Sequence, residues 1–156
     1  MKIDVRPFAP GDEDELLARG LRAGDALEAW KVTGMRADAA VRLSVERALT
    51  AGVIRVENRV TALFGLGKGC RGGSGIPWMV AHPDFENPAV AVPMARIMRR
   101  FLDHWLTVFP RLENCADPDH AHALKVLRWA GFTVENTPLR GPLGHKLVYF
   151  WRTQCA

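Results

Sequence analysis

Cysteine is scarce and poorly placed for chemistry. Cys70, Cys115 and Cys155 are odd in number, widely spaced and free of any Cys-x-x-Cys pair, which argues against a disulfide framework or a zinc site and leaves three free thiols. Tyrosine is scarcer still: Tyr149 stands alone. No apolar run approaches the roughly 20 residues of a membrane span, and Met1-Lys2-Ile3-Asp4 lacks the apolar core of a secretory leader. The expectation is a soluble, cytoplasmic chain with neither a membrane partner nor a metal. Repeats, linkers and low-complexity tracts are missing as well. Charge is unconcentrated: 21 Lys and Arg against 17 Asp and Glu leave a net charge of +4, short of the basic tract a nucleic-acid partner would need. What is present is a chain of 156 residues, 48% hydrophobic, long enough for one domain over 1–156 to bury its own core.

The stretch from Gly75 to Phe132 organises the chain. It predicts a strand over Gly75–His82, a loop, a long helix over about Pro88–Phe109, a short strand over Leu112–Ala116 and a helix ending at Gly131-Phe132. In the long helix Met94, Ile97, Met98, Phe101, Leu102, Trp105, Leu106 and Phe109 recur in steps of three and four, the period of one helical face. Arg96, Arg99 and Arg100 fall among its polar positions and read as a solvated face. Asn87 and Pro88 make an ordinary helix start, and Asp117 with Pro118 opens the second helix. Strand, helix and strand form a right-handed crossover, a unit that often takes its ligand where strand gives way to helix.

Before this stretch, Lys2–Phe8 reads as a strand, and Asp12 and Glu15 have the spacing of a capping box. Asp25 and Glu28 repeat that spacing, and two readings stand for them. Either Asp25 caps a helix and Glu28 answers it, or two carboxylates on one face serve acid–base work. Asp38 or Ser44 opens a further helix with a stop near Gly52. Val53–Val56 and Val60–Leu66 form a hairpin around Glu57-Asn58-Arg59. Gly67–Gly75 contains a G-x-G-x-x-G match, yet a strand follows it rather than a helix, so it reads as a hairpin loop. Phe132–Glu135 is a strand, Thr137–Gly144 a loop, and Lys146–Arg152 a strand apolar on both faces, hence away from the sheet edge. Histidine titrates near neutrality, which makes His82 and His120 candidate bases. His120 and His122 lie two apart and diverge on a helix, so no metal pair is expected.

This order, with Leu124-Lys-Val-Leu-Arg-Trp-Ala-Gly131-Phe132 and Val80-Ala-His-Pro83-Asp-Phe85, resembles the GNAT (Gcn5-related N-acetyltransferase) fold. The resemblance implies an α/β (α+β) architecture, a single mixed and mostly antiparallel sheet flanked by helices. It implies acetyl-CoA or CoA as the cofactor and an amine acceptor. Glu28, His82 and His120 become the catalytic candidates. Val80, His82, Asn87, Ala89, Ala91 and His120 become the cofactor-binding ones. The loop at the head of the long helix departs from the family's R/Q-x-x-G-x-G/A: Glu86 puts a carboxylate where a cation or amide belongs, Pro88 removes an N–H, and Ala89 replaces a glycine. Leu127 occupies the position of the family's proton-donating tyrosine. Together with Arg6-Pro7, Asp25-x-x-Glu28, Gly34 and Trp78, these departures resemble the internal virion protein A family of short-tailed coliphages, a degenerate relative of the fold. That narrower resemblance implies a phage or prophage origin, virion proteins as partners and packaging in the particle. The expected function is then a morphogenesis protein with a degenerate acetyl-CoA site, the alternative being an active N-acetyltransferase.

Overall fold

The computed structural model describes residues 1–154, so Cys155 lies outside the described residues. The chain runs β1 (Ile3–Pro7), α1 (Asp12–Arg19), α2 (Ala23–Thr33), α3 (Ala37–Arg47), β2 (Ala48–Val56), β3 (Arg59–Lys68) and β4 (Ser74–Ala81). A 3₁₀ turn (Pro83–Glu86) then leads to α4 (Pro88–Val108), β5 (Arg111–Ala116), α5 (Ala121–Trp129), β6 (Thr133–Arg140) and β7 (Lys146–Thr153). The seven strands form one sheet in the order β1-β2-β3-β4-β5-β7-β6. Among the described residues only β4 and β5 pair in parallel, joined by the α4 crossover. The expected α/β architecture and mostly antiparallel sheet are what the structure shows.

Successive strand residues point to opposite faces, and here both faces are covered. Ile54 and Phe64 meet Met94, Leu102, Trp105 and Leu106 of α4 on one side. Their neighbours Val53 and Leu63 meet Leu16 of α1 and Val41 of α3 on the other. The long helix buries the predicted face, and Arg96, Arg99 and Arg100 are exposed. The β2–β3 hairpin turns through Glu57 (φ 49) and Asn58 (φ 64), the left-handed pair of a type I′ turn. As its two apolar faces require, β7 lies inside the sheet, between β5 and β6.

Three expectations fail locally. The helix after Asp38 does not run to Gly52; it ends at Arg47 and passes directly into β2. Gly52 serves packing there, since a Cβ would stand 2.3 Å from the Phe64 ring. The predicted loop from Thr137 is strand as far as Arg140, with a register irregularity between Glu135 and Leu139. Asp12 and Glu15 form no capping box. Asp12 takes the Arg6 guanidinium (2.8 and 3.0 Å) and the Ala9 amide, and Glu15 accepts from the Val60 amide of β3.

Candidate functional site

The β4 and β5 strands pair only at Ser74–Arg111 and Gly75–Leu112 and then separate. Asn114 Nδ2 donates across the gap to the Pro77 carbonyl at 3.0 Å. A cleft of about 600 Å³ opens there, lined by Val41, Trp78 and Val80 on one side and by Met79, Met98 and Leu102 on the other. The first three pack with the α1–α3 cluster and the last three with the α4–α5 cluster, so the cleft passes through the sheet. The Pro77 carbonyl and the Ala81 amide, two strand positions of like parity, both point away from β3. Met79 lies between them in the same parity, so its N–H and C=O face the gap without a ladder partner. That is a free strand edge, aimed into an apolar cleft.

Beside the gap lies a buried polar cluster. The Arg22 guanidinium donates to Asp25 through Nε (2.9 Å) and Nη2 (3.0 Å), each side chain about 6% exposed. Asp25 also accepts from the Ala81 amide (2.8 Å) and pairs with His120 Nε2 (3.1 Å). The capping reading of Asp25 and Glu28 is thereby overturned: α2 begins at Ala23 with Arg22 in the cap position, and Asp25 reaches β4 and α5 instead. Glu28, one turn on, accepts from the Asp117 amide at 3.2 Å and lines the cleft. Asp117 does not cap α5 either. It accepts from the Asp119 amide and from Lys31 Nζ (3.0 Å), and α5 starts at Ala121 behind His120. Charges buried this deeply need partners at every oxygen, which outweighs a local cap.

The protonation states follow from these surroundings. Burial pushes the Glu28 carboxyl up to about 7; the Asp117 amide and the His120 charge oppose this, while Asp25 and Asp117 add to it. Burial also pushes Asp25 upward, but the His120 hydrogen bond, Arg22 and the Ala81 amide together hold it below the usual carboxylate range. The hydrogen bond to Asp25 raises His120 against the cost of burial, with the Glu28 and Asp25 charges adding to the rise. Gly24 makes this contact possible, because a Cβ there would stand 2.8 Å from the His120 ring.

The other sequence candidates divide. Val80 and Ala91 line the cleft with Glu28. His120 is not among the lining residues and pairs with Asp25. His82 turns elsewhere: its Nδ1 accepts from the Asp84 amide at 3.1 Å, beside Arg19. Asn87 is the expected cap of α4. Its side chain accepts from the Ala89 amide (3.0 Å), and its carbonyl accepts from Val90 and Ala91 (2.8 Å each). Leu127 lines the cleft, and the Tyr149 hydroxyl is engaged by Arg111 (2.9 Å) and Glu113. Sequence reasoning missed Arg22, Lys31 and Asp117. The i, i+3 spacing of Arg22 and Asp25 was a signal for one ion pair, whereas nothing local foretells a partner 95 residues away.

No protein-family model matches the chain, and no curated protein matches it. Solved structures do. A GNAT-family acetyltransferase from Streptococcus pneumoniae is similar with a TM-score of 0.68 at 11% identity, covering 99% of this chain and 100% of that one. The spermidine N-acetyltransferase of Vibrio cholerae, in complex with CoA and spermine, gives 0.67 at 14% identity over 97% and 95%. Ard1 from Thermoplasma volcanium gives 0.70 at 14% identity over the whole of both chains. With the parted β4 and β5 strands and the α4 crossover in place, the chain carries the fold of the GNAT acetyltransferases.

Proposed function

We propose that this protein transfers an acyl group from a coenzyme A thioester to an amine, with Glu28 as the base. The observation that carries the reading is Glu28 itself: a half-buried carboxyl that lines the cleft crossing the sheet between β4 and β5, with its pKa pushed up to about 7. The cleft and the free edge at Met79 suit the extended, amide-bearing arm of such a thioester. The thioester supplies the acyl carbon and a thiolate leaving group. The chain holds the arm along β4, excludes water with apolar walls, and takes the proton of the attacking amine at a Glu28 oxygen. A carboxyl tuned to about 7 is matched to that task near neutral pH. Arg22 and Asp25 act through position, tying α2 to β4 and to His120.

Glu28→Gln keeps shape and hydrogen bonding and removes the base. Acylation of a primary amine panel should fall about 10²–10⁴-fold while the variant still binds the thioester. Equal rates for both proteins would overturn the reading.

A second reading has its own observation. Asn87 consumes the amides of Ala89, Val90 and Ala91, and Pro88 has none, so the α4 head offers an anion no free donor. Leu127 likewise supplies no proton to a leaving thiolate. On this reading the fold serves a virion or morphogenesis protein of phage or prophage origin that performs no transfer, with other virion proteins as its partners. Calorimetric titration with acetyl-CoA separates the two: silence favours this reading, and binding with turnover removes it.

A further inference from the structure

The occupied α4 head leaves the acyl-transfer reading with an unsolved problem, because the diphosphate and phosphorylated adenosine of coenzyme A still need cations or donors. The opposite mouth of the cleft, between α4 and α5, has them. Val92, Arg96, Lys125 and Trp129 line that mouth. Val92 and Arg96 are spaced i, i+4 on α4, as are Lys125 and Trp129 on α5, so each pair lies on one face of its helix. Trp129 is 46% exposed, an unusual position for an indole, and the Arg99 guanidinium stands 5.4 Å from its ring centroid. Around this mouth α4 carries no acidic residue from Pro88 to Leu102, and α5 carries none from Ala121 to Trp129. Arg96 and Lys125, with Arg99 against the Trp129 ring, therefore form a cationic rim around an exposed aromatic ring at the entrance of an apolar cleft, and the next carboxylate along α4, Asp103, is paired with Arg152.

We infer that this rim is the anion-binding half of the cofactor site. Arg96 and Lys125 hold the phosphates of a coenzyme A thioester and Trp129 stacks its adenine, replacing the helix-head amides that Asn87 has occupied. The chemistry suits each part. Guanidinium and ammonium groups bind phosphate through charge-assisted hydrogen bonds, and a base stacks on an indole regardless of its identity. The inference rests on the acyl-transfer reading, yet its test separates the two.

The experiment is calorimetric titration of the wild type and of an Arg96→Glu/Lys125→Glu double variant with CoA, 3′-dephospho-CoA and S-acetyl-pantetheine, with circular dichroism confirming the fold. All three side chains are exposed, so the substitutions spare the core. Losing two charge-assisted contacts should weaken CoA binding about 100-fold. Binding of S-acetyl-pantetheine should not change, and CoA should quench Trp129 fluorescence, a response that Trp129→Leu abolishes. If the double variant binds CoA as the wild type does, the rim is not the clamp, although acyl transfer survives. If the wild type binds S-acetyl-pantetheine and CoA equally, the anionic half makes no contact and the inference falls alone. If neither binds, both readings fall together. Preferential binding of duplex DNA by the rim, with a steep salt dependence and no response to CoA, would also overturn it.

Discussion

The heads of α2 and α4 make the instructive contrast. At α4 every local signal is used locally: Asn87 caps, Pro88 fills the first turn, and the amides of Ala89, Val90 and Ala91 all return to Asn87. Nothing is left over for a ligand. At α2 the local signals are ignored. Arg22 occupies the cap position without a side-chain cap bond, while Asp25 and Glu28 reach out to β4, α5 and the loop after β5. A polar side chain satisfied by its own turn is structural; one drawn away from its turn into a buried network is a candidate for chemistry.

The contrast breaks most visibly at Asp25. Asp25→Ala removes the partner of a buried guanidinium and leaves Arg22 uncompensated, which should cost about 3–5 kcal/mol in denaturant unfolding. A loss under 1 kcal/mol would mean that the α2 network is as dispensable as a surface pair.

The pH response comes next. The folded-state pKa of Glu28, about 7, lies above its ordinary value of 4.5, so the folded protein holds an extra proton between those values. Stability therefore falls as pH rises through that window. His120 has the same sign, its contribution present below 6.5 and lost as pH rises through its elevated folded value. Asp25 has the opposite sign, and its contribution is lost only on acidification below the ordinary carboxylate range. Unfolding free energies measured at pH 5 and pH 8 should fall with pH, and Glu28→Gln should flatten the fall. Stability that rises over this interval would contradict the assignment.

The smallest effect belongs to α4. Asn87→Ala should cost about 1 kcal/mol as an ordinary lost cap, and Asn87→Gly only a few tenths. A much larger loss would show that Asn87, too, belongs to a wider network.

The sequence made the frame legible wherever periodicity and turn chemistry agreed: the α4 face, the Glu57-Asn58 hairpin and the buried β7. It misled at Asp12, Asp25 and Asp117, where a short acidic side chain next to a helical run looks like a cap whether or not a cation claims it. Arg6, Arg22 and Lys31 make those claims, and only packing brings Lys31 to Asp117, 86 residues away. Glu28 and His120 were visible as residue types. The pairing of His120 with Asp25 beside Glu28 was not, because it depends on Gly24 clearing space for an imidazole.

The sheet is sewn across its middle by two residue pairs between β4 and β5. In mechanical terms it is two slabs, a four-stranded one built from residues 3–81 and a three-stranded one from residues 111–153. Each slab is contiguous in the chain. Hydrogen exchange should resolve them as separate cooperative units, joined at one end by the Ser74–Arg111 seam and at the other by the Asp25–His120 and Lys31–Asp117 contacts. Whatever enters the cleft touches both slabs at once, and would be felt as added rigidity between them.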